Sequence, residues 1–323
     1  MKNNTINKNS IAQNPFEYSD DNKRYHTFNY YLRHKFGGKV FKVSLNAGLS
    51  CPNRDGRIGT GGCTYCSALA SGDFAGDKSK TITQQFDDIR QKMHKKWADG
   101  RYIPYFQAGT NTYADIKTLY SLYNEALNLP DVVGMSIATR ADCISDEVLE
   151  LLWDISKKTY LVVELGLQSI YDTTAQRINR GHTYAQFLEC YNRLSARGIN
   201  VCVHLINGLP DETKQMMVNT AYEVGKLYPH EIKLHLLHIL KNTAMEKEYE
   251  KGLIKELSLE EYVDIVCSQL EVIPKETIIG RITGDGAKDD LIAPLWSTKK
   301  FCVINEIDKE LARRDTYQGK ALE

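Results

Sequence analysis

The stretch Cys51-Pro52-Asn53-Arg54-Asp55-Gly56-Arg57-Ile58-Gly59-Thr60-Gly61-Gly62-Cys63-Thr64-Tyr65-Cys66 places three cysteines in a Gly-rich loop, directly after the strand-like run Val40-Phe41-Lys42-Val43-Ser44-Leu45. Cys63 and Cys66 are two residues apart, the spacing that lets two thiolates converge on one metal centre. Eleven residues separate Cys51 from Cys63, and the glycines among them let the backbone fold back. Three cysteines is the informative count. Structural zinc closes its shell with four ligands, whereas an iron–sulfur cluster on three thiolates keeps one iron open to a ligand. Zinc remains the alternative if His26 or His34 supplies the fourth ligand.

Outward from this loop the chain alternates between two periodicities. A helical pattern over 81–98 precedes the strand-like Tyr102-Ile103-Pro104-Tyr105-Phe106 and a helix over 113–128. The strand-like segment 132–137 leads to Thr139-Arg140-Ala141-Asp142 and a helix over 145–156, with Ser145 as N-cap and Asp146 and Glu147 in its first turn. Strands over 160–165, 199–206 and 232–237 alternate with helices over 184–197 and 212–227. Continuous apolar strands between amphipathic helices predict an α/β protein whose parallel sheet is covered by helices. Six strand-then-helix units from Val40 to about Tyr249 fit an open, partial (β/α)6 TIM barrel better than a two-sided sheet. In such barrels the active site forms at the C-terminal strand ends. Every unusual group falls there: the cysteine loop, Gln107 to Thr110, Arg140 and Asp142, Glu164 to Gln168, and Asn207-Gly208-Leu209-Pro210.

The pattern divides the chain into a tail and a basic, aromatic segment over 1–39, the partial barrel over 40–240, and a C-terminal α+β extension over 241–323. Residues 1–20 read as a loosely attached tail. The extension holds helical patterns over 243–251 and 259–272, the strand-like Ile278-Ile279-Gly280-Arg281-Ile282, and the turn Gly284-Asp285-Gly286. With 323 residues, 42% hydrophobic and 25% charged, a large core is available and global disorder is excluded. The 41 basic and 41 acidic residues cancel, so a nucleic-acid surface must be a local patch. The best candidate is Lys23 to Lys39, which carries Arg24, Arg33 and Lys35 among Tyr25, Phe28, Tyr30, Tyr31 and Phe36 and contains no acid. It reads either as a phosphate- and base-binding strip or as a helix whose rings pack on the body. No apolar run spans a bilayer and the N-terminus carries no secretory signal, so no membrane partner and a cytoplasmic protein are expected. There, clustered cysteines mean metal or catalysis, and the isolated Cys143, Cys190, Cys202, Cys267 and Cys302 read as small buried hydrophobes.

The cysteine loop, Tyr65 beside the last cysteine and the βα units that follow resemble the radical SAM superfamily. Within it the chain is similar to the branch of the Elongator catalytic subunit and oxygen-independent coproporphyrinogen oxidase. It is most similar to the small YtqA/YhcC-like family, which includes MnmL-type tRNA wobble-uridine enzymes. The motifs that carry this are Ala47-Gly48-Leu49-Ser50-Cys51-Pro52-Asn53-Arg54-Asp55-Gly56, Tyr105-Phe106-Gln107-Ala108, Glu164-Leu165-Gly166-Leu167-Gln168-Ser169, Ile178-Asn179-Arg180-Gly181-His182-Thr183 and Gly284-Asp285-Gly286.

The resemblance implies that Cys51, Cys63 and Cys66 bind a [4Fe-4S] cluster whose open iron takes S-adenosyl-L-methionine (SAM). One electron, from a flavodoxin- or ferredoxin-like donor, then cleaves SAM to a 5′-deoxyadenosyl radical. It further implies that Tyr65, Gln107, Gly109, Thr110, Glu164, Gln168, Arg180 and Gly208 bind the cofactor. Gln107 to Thr110 stands where the superfamily usually reads Gly-Gly-Glu and holds the SAM amino group. Glu164 and Gln168 match ribose and methionyl contacts, or else a strand-end ion pair and a helix cap. Arg180 matches a SAM carboxylate contact, or else is a solvated loop arginine. Gly208 matches the motif beside the adenine. Arg140 and Asp142 read equally as a structural ion pair. His204, His235 and His238 read as core or rim residues, and Lys241 as a surface lysine. The substrate implied is tRNA, at a wobble uridine whose carboxymethylaminomethyl group is taken toward aminomethyl. The alternatives are a small-molecule or protein substrate, and a zinc-stabilised nucleic-acid-binding module without catalysis. Oligomeric state does not follow from the sequence.

Overall fold

Alternate residues of a strand take opposite faces, so one row of side chains meets the covering helices while the other fills the space within a curled sheet. The computed structural model realises this over residues 14–323 apart from 71, 96, 285 and 287. Residues 1–13 of the expected tail and the middle of the turn Gly284-Asp285-Gly286 lie outside the described residues. Strands β1 (Val40–Leu45), β2 (Arg101–Phe106), β3 (Gly134–Thr139), β4 (Tyr160–Gln168), β5 (Asn200–Asn207) and β6 (Glu231–Leu236) are the six the sequence predicts. Two strands lie beyond them before residue 282: the short β7 (Ile239–Leu240) and β8 (Ile278–Arg281). β8 pairs parallel with β6, giving a seven-stranded parallel sheet in the order β1-β2-β3-β4-β5-β6-β8. This curled half-barrel is the expected partial TIM barrel, with one strand more than the six units counted. The stretch after 240 therefore contributes a strand to the barrel sheet rather than standing apart.

Helix α1 (Phe28–Phe36) lies in the basic, aromatic segment, and the short α5 (Asp172–Arg177) is not among the expected helices. Helices α2 (Ile82–His94), α3 (Ile116–Leu127), α4 (Asp146–Ser156), α6 (Tyr184–Ser195) and α7 (Lys214–Gly225) follow the predicted pattern within a few residues. Their starts are fixed by side-chain caps. Ser145 accepts the Val148 N–H at 3.3 Å, as expected, and Thr81 and Thr183 form reciprocal capping boxes with Gln84 and Gln186. The apolar faces of these helices meet the outward row of the strands, including Val43, Leu45, Phe106, Ile137, Val163 and Leu165, in one core. After β7, α8 (Ala244–Glu250) and α9 (Leu259–Glu271) lead to β8. Strand β9 (Leu291–Ala293) then pairs antiparallel with β7 at the C-terminal rim. From there α10 (Lys300–Arg313) runs back beside α9 to the opposite end, where Lys23 pairs with Asp308 and Arg24 with Asp315 at 3.1 Å.

That opposite end is closed by α1. Phe28, Tyr31, Leu32 and Phe36 pack against Val40, Ile103, Tyr160, Val162 and Cys202 at the N-terminal ends of the strands. The basic, aromatic segment is thus a plug. Its rings belong to the core, and Lys23, Arg24 and Arg33 are paired with Asp308, Asp315 and Asp20. The reading of this segment as a nucleic-acid strip is corrected accordingly, because its aromatic side chains have more apolar area to bury than a solvated face would allow. Nor is the tail loose throughout, since Phe16 is buried and Lys275 pairs with Glu17 at 2.5 Å.

Candidate active site

β1 ends at Leu45 and delivers the chain into the cysteine loop at the C-terminal mouth of the half-barrel. The loop is held by its own backbone and by the side chains of half-buried Arg54 and buried Asn53. The Arg54 N–H donates to Cys51 O at 2.8 Å and the Cys66 N–H to Cys63 O at 3.0 Å. The Arg54 guanidinium donates to the carbonyls of Cys66 at 3.1 Å and Ala68 at 3.2 Å. Buried Asn53 donates to Asn179 O at 2.6 Å, and Asn179 returns a bond to Gly62 O at 2.7 Å. The loop is thereby stitched to the motif Ile178 to Thr183, which explains why the two motifs occur in one chain.

The segment Gln107-Ala108-Gly109-Thr110 after β2 braces the loop from the other side. Gly109 adopts φ +77°, its N–H donates to Ala70 O at 3.0 Å, and a Cβ there would collide with the Leu49 carbonyl oxygen. The Thr110 N–H donates to Ser50 O at 3.1 Å, one residue before Cys51.

Cys51, Cys63 and Cys66 line one cavity of about 310 Å³ together with Tyr65, Gln107, Gly109, Thr110, Glu164, Gln168 and Arg180. The eighth expected cofactor contact, Gly208, does not line it. At φ +87° its Cα faces Leu257 and Leu237, and its N–H approaches Met217 Sδ at 3.1 Å. Its β5 neighbour Ile206 lines the cavity instead. No cysteine of the chain is in a disulfide. Burial, then the neighbouring Cys66, push the Cys63 thiol up to about 11, with Cys51 adding to the rise and Arg140 and Tyr65 opposing it. A thiol so placed needs a metal to become a thiolate at neutral pH.

Two expected cofactor contacts on the cavity lining, Arg180 and Glu164, also make bonds within the protein. Arg180 is 1% exposed, and its guanidinium donates to the carbonyls of His182 at 3.0 Å, of Ser169 at 2.7 Å and of Leu167. It is neither a solvated loop arginine nor an open fork. It satisfies the carbonyls where β4 ends in a bulge, and Nη2 alone makes no hydrogen bond. Glu164 is not at a strand end but inside the lumen. One oxygen accepts from Lys42 and Ser136 at 2.7 and 2.6 Å, the other from His204 at 2.7 Å and from Lys233. Burial works against its charge, but Lys233, Lys42 and His204 hold the carboxyl well below its usual range. Gln168, by contrast, sits at the end of β4 in the left-handed region (φ +65°), with a buried Oε1 that has no partner, as expected of a group awaiting a ligand.

Arg140 and Asp142 form a two-pronged ion pair at 2.9 Å, and Arg140 also donates to Arg180 O at 2.8 Å. The structural reading of this pair holds. The sequence reading did not single out His182, Lys42, Ser136 or Lys233. His182 lines the cavity with both ring nitrogens buried and without a hydrogen bond, Nδ1 standing 3.9 Å from Asp142 Oδ1, and burial followed by Arg180 and Arg140 brings it down to about 3. The signal was present, since His182 lies in the quoted motif beside Arg180. Lys42 and Lys233 read only as charges within apolar strands. Lys241 is exposed, as expected.

The donor set discriminates between cluster and single ion. A tetrahedral zinc would bring thiolates to roughly 3.8 Å of one another, given Zn–S bonds of about 2.3 Å. Among the described residues the only three potential ligands lying within 4.8 Å of one another are Glu164, Cys202 and His204, whose carboxylate is already taken by two ammonium groups. Cys51, Cys63 and Cys66 are not such a trio, so at least one pair of their sulfurs is more than 4.8 Å apart, wider than one tetrahedral ion draws its thiolates. His26 and His34 belong to the plugged end of the barrel and cannot complete a zinc site at the mouth. No helix among the described residues is long and apolar enough to cross a membrane.

With this geometry in hand, the comparisons with known proteins define a class: the chain belongs to the radical SAM superfamily, matching that family over residues 54–223 and the Radical_SAM C-terminal domain over 229–313. Enzymes of this superfamily use a [4Fe-4S] cluster and SAM. The chain is 53% identical over 310 residues to YtqA of Bacillus subtilis, covering 96% of both proteins. A shorter match, 27% over 157 residues, covers 47% of this chain and 28% of the tRNA uridine(34) acetyltransferase of Methanocaldococcus jannaschii. The solved structure of Methanocaldococcus infernus Elp3 shares the fold, with a TM-score of 0.64 at 17% identity over 87% of this chain and 64% of that one. Catalysis is thus established at the level of the superfamily, and the zinc-module alternative falls.

Proposed function

We propose that this radical SAM enzyme modifies tRNA at a wobble uridine, taking a carboxymethylaminomethyl group toward aminomethyl. The observation that carries the reading is the cavity at the barrel mouth where three cysteines meet the segment after β2 and the end of β4. The relative that acts on uridine 34 of tRNA supports the substrate class. Cys51, Cys63 and Cys66 fit a [4Fe-4S] cluster, since none of them is in a disulfide and all three line one cavity from one braced loop. When bound, cluster and SAM supply a 5′-deoxyadenosyl radical on one-electron reduction, the electron coming from a flavodoxin- or ferredoxin-like donor in the cytoplasm.

The chain's own residues position and shield. Gln107 to Thr110 would hold the SAM amino acid portion, and Gln168 Oε1 and His182 Nε2, buried without a hydrogen bond, would meet the rest of it. Tyr65 packs beside Cys63, and Arg180 fixes the end of β4 without being consumed by the ligand. The Glu164 network holds the lumen rigid below, and α1 closes it to water from the far end. A mass-spectrometric nucleoside profile of bulk tRNA, from cells with and without the gene, tests the substrate. Carboxymethylaminomethyluridine should accumulate and its aminomethyl products vanish. An unchanged profile, in cells without a redundant pathway, moves the substrate to a small molecule or a protein.

A further inference from the structure

The cavity has two halves built by different elements. The cysteines and all the lining residues matched to the cofactor come from β1 to β4 and the segments just after them. The other half, from β5, β6, β7 and the turn between the last two, carries Ile206, His235, Leu237 and Leu240, to which the cofactor reading assigns nothing. Ile206 and His235 are direct cross-strand neighbours, one step above the neighbouring pair His204 and Lys233. The His204 ring is locked by its 2.7 Å bond to Glu164, and the His235 ring packs on it at 5.0 Å. His235 therefore has a fixed orientation. Its Nε2 is nevertheless buried without a hydrogen-bond partner, whereas the His204 Nε2 beneath it is bonded to Glu164. A buried, oriented and unpartnered polar atom on a cavity wall is a group held for a ligand.

We infer that the β5–β6 side of the cavity receives the planar base of the substrate and that His235 Nε2 hydrogen-bonds its polar edge, with Ile206 and Leu237 against its face. The inference rests on the wobble-uridine reading and names a specificity residue for it. Burial, then His204, Arg281 and Lys233, hold the imidazole neutral, so it acts as a hydrogen-bonding group and not as a cation. A neutral imidazole offers one donor and one acceptor, which suits a uracil edge that carries both.

The test uses the cluster-loaded enzyme with SAM and an anticodon stem–loop RNA carrying carboxymethylaminomethyluridine at the wobble position. The affinities of wild type, His235→Phe and His235→Gln are compared. Phe keeps the ring that packs on His204 but removes the nitrogen, whereas Gln keeps a polar atom near the Nε2 position and removes the ring. Iron content and SAM affinity confirm that each variant is loaded. The expected result is stem–loop binding about 10- to 100-fold weaker in His235→Phe, the range for losing one buried hydrogen bond, with partial recovery in His235→Gln. Wild-type affinity in His235→Phe, or loss in His235→Gln alone, would overturn the inference and leave the wobble-uridine reading standing. If wild type binds this stem–loop no better than one with cytidine at that position, the substrate reading falls and the inference with it.

Discussion

Cys63 and Cys267 show how little a residue type says without its surroundings. Both are thiols raised above their ordinary value by burial, to about 11 and about 12. Cys267 lies in the core, its Sγ 3.7 Å from Ile307 O, whereas Cys63 opens on a cavity with two more cysteines. Cys63→Ala is expected to abolish the brown chromophore and the bound iron of anaerobically prepared protein, while Cys267→Ala keeps both; iron analysis and visible absorption check this.

Histidine makes a second residue-scale prediction. Burial, then Lys35 and Lys42, lower His230 to about 4, and its Nε2 bonds the Tyr160 hydroxyl at 2.9 Å. The unfolded chain takes up that proton near pH 6.5, the folded chain only near 4, so between those values the unfolded state binds more protons. Stability contributed by neutral His230 is therefore full above about pH 6.5 and lost as pH falls toward 4, at up to roughly 1.4 kcal/mol per pH unit. Urea midpoints between pH 7 and 4.5 should fall less steeply in His230→Gln than in wild type.

At the scale of elements, the segment after β2 and the helix α1 carry opposite lessons. Gly109→Ala is predicted to push the loop at Leu49 away from its bracing and to cost both iron and SAM binding. Gly208→Ala, against the movable Leu257 side chain, should keep them; iron content and SAM binding by equilibrium dialysis separate the two. For α1, Leu32→Ala should destabilise the fold by about 2–5 kcal/mol, since its side chain is 3% exposed within the plug. Neutralising Arg24, Arg33 and Lys35 together should leave tRNA affinity unchanged, because they sit at the barrel end away from the cysteines; filter binding measures it.

The sequence carried the elements well. Period and capping placed the six main strands and the covering helices, because these signals are local. It offered the packing of the segment 23–39 as one of two readings without saying where it packs, and it did not carry the bulge at the end of β4 or the joining of β8 to β6, since each depends on partners more than 30 residues away. The same holds within the site: the cysteine spacing was legible, whereas the commitment of Arg180 to backbone carbonyls and of Glu164 to two lysines appears only when β1, β4 and β6 are brought around one lumen.

At the scale of the whole molecule, the half-barrel is organised as layers along its axis. An apolar plug fills the bottom, the Lys42–Glu164–Lys233 layer lies above it, and the cavity with its three cysteines opens at the mouth. A buried carboxylate between two lysines costs desolvation that an apolar layer would avoid, so its value lies in holding the lumen side chains in one arrangement beneath the reacting groups. The 41 basic and 41 acidic residues cancel, so the chain has no global positive field, and the proposed tRNA substrate would have to be held by local contacts.

The measurement that bears most directly on this account is anaerobic turnover of the cluster-loaded protein with a reductant, SAM and tRNA from cells lacking the gene, with 5′-deoxyadenosine and modified nucleosides counted together. The account predicts that 5′-deoxyadenosine and aminomethyluridine appear in parallel and that neither forms with Cys63→Ala. Formation of 5′-deoxyadenosine over unaltered tRNA would contradict the substrate, and no 5′-deoxyadenosine from fully loaded wild type would contradict the chemistry itself.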